Sequence, residues 1–325
     1  MSEYLITGAA GFIASVIAEK LLQAGHGVAG IDNMNDAYDV RMKEYRLKIL
    51  QAYSGFTFHR LDVSDRSLLD NPALMDRDFD AVINLAARAG VWDSLLDPWV
   101  YLDTNATGTL NLLEFCKQEG IDKFILASTS SIYGLNAPIP TPENADSDRP
   151  LQAYAASKKA AEALAHAYHY LHDIDVTVVR YFTVYGPAGR PDMVVFRFAK
   201  WIYEEQPVHL YGDGEQSRGF TYVDDIARGT IAALDLPGFE IINLGGHQVM
   251  SIKELIRVME DITGKKAQIV HHPRHPADMF TNQADIRKAK KLLGWKPAVD
   301  LMEGIAKTMD WYIQERNWAK EIRTD

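Results

Sequence analysis

Three observations predict an α/β fold organised as a doubly wound parallel sheet. Short apolar runs alternate with helical patterns through the N-terminal half. A glycine-rich turn, Thr7-Gly8-Ala9-Ala10-Gly11-Phe12-Ile13-Ala14, separates the first apolar run from the first helical one. An acid, Asp32, closes the second run, 21 residues after Gly11. Strands alternating with helices lay down a parallel sheet covered on both faces.

Strands are expected at Tyr4–Thr7, Val28–Ile31, Thr57–Arg60, Ala81–Leu85, Phe124–Ala127 and Asp175–Arg180. Between them, helical spacing runs over Gly11–Ala24 and Val40–Tyr53, briefly after Ser64, and from about Pro98 to Gln118. A further helix follows Pro150 and carries Tyr154 and Lys158. After about Tyr181 the loops become richer in Pro and Gly. There Ser251 with Glu254 three residues on matches a capping box opening a helix. Helices follow over about Asp285 to Leu293 and Leu301 to Trp318. The expected division is a Rossmann-type dinucleotide-binding domain, 1–180 plus about 219–247, and a smaller discontinuous α/β substrate domain, about 181–218 plus 248–325. Trp295 and Trp311 are expected to pack the second domain.

The 325 residues are 47% hydrophobic and 24% charged, an ordinary globular balance. A formal net charge of -10 argues against nucleic acid or an anionic membrane surface as a partner. No apolar run reaches the ~18–20 residues of a membrane span. The first strand begins by Tyr4, which leaves no room for a signal peptide. A single cysteine, Cys116, cannot form an internal disulfide, which fits a reducing compartment. Its helical setting reads as a small buried hydrophobe. The expected location is cytoplasmic. His166, His169 and His172 lie three apart, so they rotate around their helix rather than sharing a face, and no metal is expected.

The glycine-rich turn suits a pyrophosphate. Gly8 and Gly11 let the backbone turn sharply, and the amides of Phe12 and Ile13 open the helix. Asp32, followed by Asn33, can accept hydrogen bonds from adenosine ribose hydroxyls and repel a 2′-phosphate, which favours NAD over NADP. Asp62-Val63 at the end of the third strand would flank adenine. Leu85, Ala86 and Ala87 at the end of the fourth let a cofactor lie close to the backbone.

Tyr154 and Lys158 are four apart on a helix and share a face. A phenol of pKa ~10 is a poor base at neutral pH, and a nearby ammonium favours its phenolate. Thr129, about 25 residues upstream, completes a set suited to taking a proton from an alcohol. Lys158 would also hold the nicotinamide ribose.

Together, Thr7–Ala14, Asn84–Ala87, the run Asn105 to Glu114, Ser128–Gly134, Tyr154–Lys158, Arg218 to Asp225 and Leu292 to Pro297 resemble the extended short-chain dehydrogenase/reductase family. That family includes NAD-dependent nucleotide-sugar epimerases, dehydratases and decarboxylases. The resemblance spans nearly the whole chain and implies NAD as a tightly held cofactor. After the Thr, the dehydratases carry Asp-Glu and the decarboxylases a Glu two residues on. Here Ser130 and Ser131 stand instead. An unperturbed hydroxyl is a poor acid or base for C–H chemistry, so epimerisation is the simplest remaining reaction.

Tyr181 to Met193, Asn35 to Asp39 and Ala86 to Val91 resemble the UDP-glucuronate 4-epimerase branch. The resemblance implies interconversion of UDP-glucuronate and UDP-galacturonate through a 4-keto sugar. The alternatives are a UDP-glucose or UDP-N-acetylglucosamine 4-epimerase, and less so a UDP-glucuronate decarboxylase. A uronate needs its carboxylate neutralised, and a guanidinium matches carboxylate geometry. Arg190 is the first candidate and Arg88 the second, with Thr183, Ser130 and Ser131 as neutral donors. By resemblance, Arg218 would meet the diphosphate and Asp278 a ribose hydroxyl. Gly219 stands where relatives carry Asp, and Ala277 where they carry Gly. The family also implies a homodimer, paired through the long helix from Pro98 and the helix carrying Tyr154.

Overall fold

The computed structural model describes residues 1–75, 77–246, 248–274 and 280–324. In chain order the first half runs β1 (Glu3–Thr7), α1 (Phe12–Gln23), β2 (Gly27–Ile31), α2 (Arg41–Leu50), β3 (Phe56–His59) and β4 (Ala81–Asn84). It continues through α3 (Pro98–Tyr101), α4 (Gly108–Glu119), β5 (Lys123–Thr129), α5 (Ala153–His172) and β6 (Asp175–Tyr181). Beyond these come β7 (Thr183–Tyr185), α6 (Val194–Tyr203), β8 (Pro207–Tyr211), β9 (Ser217–Tyr222), α7 (Val223–Ala232) and β10 (Phe239–Leu244). The chain ends with β11 (Gln248–Ser251), α8 (Ile252–Thr263), β12 (Gln268–His272), β13 (Thr281–Asn282), α9 (Arg287–Leu293), α10 (Leu301–Gln314) and α11 (Arg316–Ala319).

The large sheet has seven strands in the order β10-β6-β5-β4-β1-β2-β3. Its pairings are all parallel, for example Leu5 beside Ala29 and Val82. Strand order reverses between β1 and β4, and such a switch point opens a crevice at the strands' carboxyl ends. Neighbouring residues face opposite cores. Leu5, Val82 and Phe124 join one buried cluster with α4 and α5, whereas Ile6, Ile83 and Ile125 join another with α1 and α7. Both faces are therefore covered, as the alternating pattern predicts.

Smaller sheets lie beyond this one. β11, β9 and β13 are neighbours, with β7 added on β9, and β8 pairs with β12 in parallel. A third core, built on Phe196, Leu255, Met309 and Tyr312, holds α6, α8 and α10 together. The expected capping box is present: Ser251 Oγ accepts from the Glu254 amide, and the Glu254 carboxylate accepts from the Ser251 amide at 2.8 Å. Cys116 is fully buried.

Two expectations are corrected. The helix from Pro98 is interrupted by a π-helical turn, Leu102–Thr107. Trp295 packs with Ala227 and Leu244 on the large sheet's side rather than in the second-domain core, and its indole donates to the Asp225 carbonyl at 2.7 Å. Trp311 does join the third core, that of the second domain. No helix among the described residues is long and apolar enough to cross a membrane.

Candidate active site

A cleft of about 720 Å³ lies over the switch point. Its floor is the β1–α1 turn. Gly8 has φ +65°, and a Cβ there would come within 2.9 Å of the Ala86 backbone. A Cβ on Gly11 would sit 2.8 Å from the Gly8 carbonyl. Both glycines keep open a cradle that side chains would fill. No side chain caps α1, so its first amides are free to meet an anion in the cradle. Asp32 lies buried at the end of β2. This donor set fits a dinucleotide: uncapped amides for a pyrophosphate and a carboxylate for a ribose.

The structure gathers Gly8, Gly11, Phe12, Ile13, Asp32, Asn33, Asp62, Val63, Leu85, Ala86 and Ala87 around that half of the cleft. Asn33 donates to Asp62 at 2.8 Å, which ties the end of β2 to the loop after β3. Burial raises the Asp62 pKa, but bonds from Asn33 and Ser64 outweigh it and hold the carboxyl below its ordinary value. One partner was not foreseen. Lys43 Nζ lies 3.3 Å from Asp32 with both side chains buried, and it also donates to Asn35 at 3.1 Å. The 11-residue separation of Asp32 and Lys43 gives no local signal of this pairing.

The other half holds the acid–base set. Thr129 ends β5, and its hydroxyl accepts from the Ser131 amide at 3.1 Å. It also hydrogen-bonds Tyr154, which lies in the first turn of α5. The ring of Tyr101 meets that of Tyr154 edge-on, 6.1 Å between centroids. Burial raises the Tyr154 pKa, while the Thr129 bond and the charge of Arg190 pull it down. Lys158, one turn on, donates to the Ala127 carbonyl at 2.9 Å, and burial pushes its pKa down to about 8 against the pull of Glu162. Arg190 on the facing loop thus adds a second cation near Tyr154, one the helical spacing gives no sign of.

Arg190 reaches across from the loop after β7. Its Nε donates to Asp192 at 3.1 Å, and its Nη2 donates to Asp192 at 2.5 Å and to the Ala89 carbonyl at 3.2 Å. Burial pulls its pKa down, but Asp192 outweighs that and keeps it protonated. Thr183, Ser130 and Ser131 line the same cleft, and Asn282 donates to Ser130 Oγ at 3.0 Å. Arg218 lines the far end, its Nη1 donating to the Ser217 carbonyl at 2.8 Å. Asp278 lies outside the described residues.

Arg88 is placed differently from expectation, since it does not join the cleft lining with its neighbours Ala87 and Ala89. Its backbone is clamped instead. The Arg88 amide donates to Asn105 Oδ1 at 2.9 Å, and Asn105 Nδ2 donates to the Arg88 carbonyl and to Ser157 Oγ. The π-helical turn brings Asn105 to this position. Single π turns of this kind recur at functional sites.

Gly219, the departure noted in the sequence, has its own reason. A Cβ there would run into the Gly246 backbone, 2.5 Å from its Cα.

A parallel sheet with a glycine cradle at its switch point, beside a Thr-Tyr-Lys set, defines a dinucleotide-dependent enzyme acting on alcohols. The chain belongs to the NAD dependent epimerase/dehydratase family, whose model matches residues 4–245. It is 51% identical over 324 residues to UDP-glucuronate 4-epimerase of Thermodesulfobacterium geofontis, covering 99% of this chain and all of that one. Among solved structures it resembles UDP-glucuronic acid 4-epimerase from Bacillus cereus, in complex with UDP-glucuronic acid and NAD. There the TM-score is 0.89 and the identity 38%, over 96% of this chain and 99% of that one. UDP-glucose 4-epimerase from Thermotoga maritima, with UDP-glucose, superposes at the same TM-score, 0.89, but at 31% identity, over 97% and 99% of the chains.

Proposed function

We propose that this chain is an NAD-dependent 4-epimerase that interconverts UDP-glucuronate and UDP-galacturonate and retains the carboxylate. The observation that carries this is the reach of Arg190 to Tyr154. Each perturbs the ionisation of the other. The carboxylate of a uronate hangs from C5, next to the C4 that reacts. A cation that neutralises it must therefore stand beside the base that meets the 4-hydroxyl. A neutral sugar has no use for a guanidinium there.

Tyr154 takes the proton of the 4-hydroxyl, with Thr129 sharing its hydrogen bond, and Lys158 supplies a buried positive charge one turn away. NAD, when bound, supplies the reversible hydride acceptance that makes C4 a ketone and then an alcohol again. Gly8, Gly11, Phe12 and Ile13 hold the pyrophosphate; Asp32 and Asn33 take the adenosine ribose, with Asp62 and Val63 at the adenine. Leu85, Ala86 and Ala87 let the cofactor lie close. The 4-keto sugar turns over and offers its other face, and Tyr154 returns the proton.

A 4-ketouronate is a β-keto acid. It loses CO2 when the breaking bond aligns with the carbonyl π system. Arg190, Thr183, Ser130 and Ser131 hold the carboxylate out of that alignment. Arg218 and Asp278 take the nucleotide end.

The domain division we favour follows the sheets. β9 pairs in the small sheet, whereas α7 and β10 return to the large one, which puts that crossing near Val223. A homodimer is supported by apolar side chains exposed along the paired helices, Leu96, Trp99 and Leu102 at one end and Tyr170 and Leu171 at the other end of α5. The lone cysteine supports a cytoplasmic location.

Incubation with UDP-glucuronate, followed by NMR of the products, tests the reading. UDP-galacturonate is expected. A UDP-pentose with CO2 would replace it by decarboxylation, and turnover of UDP-glucose alone would replace it by the neutral-sugar reaction.

A further inference from the structure

Directly behind the acid–base set lies a buried charge network that the steps above do not use. Glu162 stands one turn beyond Lys158 on α5, so Tyr154, Lys158 and Glu162 form one stripe at i, i+4 and i+8. Glu162 is 4% exposed and Arg180, on β6, 1%. Glu162 Oε1 accepts from Ser128 Oγ at 2.6 Å and from Arg180 Nε at 3.0 Å, and Oε2 accepts from Arg180 Nη2 at 2.7 Å. Arg180 Nη1 then donates to the Tyr133 hydroxyl at 2.9 Å and the Glu143 carbonyl at 3.0 Å. Tyr133 in turn donates to Asn243 at 2.7 Å.

Burying such a pair is costly, and apolar side chains of similar volume often serve stability as well or better. Its place suggests another use. Ser128, which Glu162 grips, sits between Ala127, whose carbonyl accepts a hydrogen bond from Lys158, and Thr129, which bonds Tyr154. We propose that Glu162, fixed by Ser128 and Arg180, is a positioning residue that keeps Lys158 cationic and holds α5 in the register that brings Tyr154 to Thr129. The proposal rests on Lys158 serving as the cation of the set.

The electrostatics are consistent with this geometry. Desolvation drives Lys158 toward its neutral form, and Glu162 is the charge opposing it. The other ionisable groups nearby are Tyr154 on α5, Arg180 and Tyr181 on β6, and Tyr133 and Glu143 in the segment after β5. Tyr101 on α3 packs edge-on against Tyr154, and Arg190 with Asp192 stands across the cleft. Of these, Arg180 is spent on Glu162, and Arg190 is paired with Asp192.

The test is a 13C-lysine NMR titration of the NAD-loaded enzyme, with the Lys158 signal identified by its loss in Lys158→Met. Three variants are compared with the wild type. Glu162→Gln should lower the Lys158 midpoint by about one pH unit or more, because Arg180 is left uncompensated. The charge-neutral pair E162Q/R180M should lower it less, and Glu162→Asp, which retains the charge, least. The alkaline limb of kcat should move by the same amounts while KM stays constant. An unmoved midpoint in Glu162→Gln, or in E162Q/R180M where the single variant does not fold, overturns the proposal, as does a kcat loss equal at every pH. The titration needs no turnover, so failure to epimerise UDP-glucuronate would count against the proposed reaction and leave this test intact.

Discussion

The two walls of the cleft are built by different means. The wall carrying Thr129, Tyr154 and Lys158 consists of a strand end and a long helix, locked from behind by Glu162, Arg180, Tyr133 and Asn243. The facing wall carries Arg190 on a loop, where its partner is Asp192 two residues away and its other anchor a single carbonyl. Proton transfer tolerates little misplacement, so its groups sit on regular elements with a supporting shell. Recognition of a carboxylate must exchange one anion for another, and a local ion pair on a loop can do that. On the reading we propose, the proton chemistry belongs to the regular wall and the choice of sugar to the loop.

Breaking the first wall should have the largest effect. Tyr154→Phe is expected to cut kcat by roughly 10³-fold, within the usual range for a lost acid–base group, with NAD binding unchanged by calorimetry. Residual turnover near wild type would remove Tyr154 from the proton path.

Breaking the second wall should cost somewhat less. Arg190→Ala should lower kcat/KM for UDP-glucuronate about 100-fold, the order expected for a charged hydrogen-bonded contact. Its effect on UDP-glucose should be smaller, limited to the loss of its pull on Tyr154. CO2 release from this variant would support a carboxylate clamp; equal losses on both sugars would deny any difference between the walls.

The cofactor cradle can be tested apart from either wall. Gly8→Ala combines a positive φ with a collision against the Ala86 backbone. It should cost about 2 kcal/mol of NAD affinity or stability, read by NAD titration and thermal melting.

The gentlest probe is pH. Lys158 has its pKa depressed from the ordinary 10.5 to about 8. The cation is therefore present below about pH 8 and lost as pH rises through it, so kcat should fall about tenfold per unit above that limb. An activity plateau reaching pH 10 would contradict this.

Much of the first wall was legible in the sequence. Apolar runs broken by helical spacing located six of the seven strands of the large sheet to within a residue or two at most ends, and left β10, which joins from beyond the second-domain insertion, unread. The Tyr154–Lys158 spacing needed only a helix to acquire meaning. What escaped depends on contacts distant in sequence. Asn105 matters because a π turn swings it onto the Arg88 backbone and Ser157, and spacing carries no sign of such a turn. Lys43 meets Asp32 only after α2 folds back over the β2 end. Arg88 read as a cation for the cleft, yet its neighbours on both sides line it and Arg88 does not. Trp295 was assigned by its position late in the chain, whereas its packing follows α9 back to the large sheet.

The crowding at Gly219 has a historical consequence. A Cβ on Gly219 would collide with the Gly246 backbone, so position 219 cannot acquire a side chain while that main chain keeps its path. An aspartate at 219 is one mutation away on paper, but it is sterically closed until the 245–246 turn has shifted. Related chains that carry the acid should therefore differ at the turn as well. The path of that turn thus decides whether position 219 can carry an acid beside Arg218 at all.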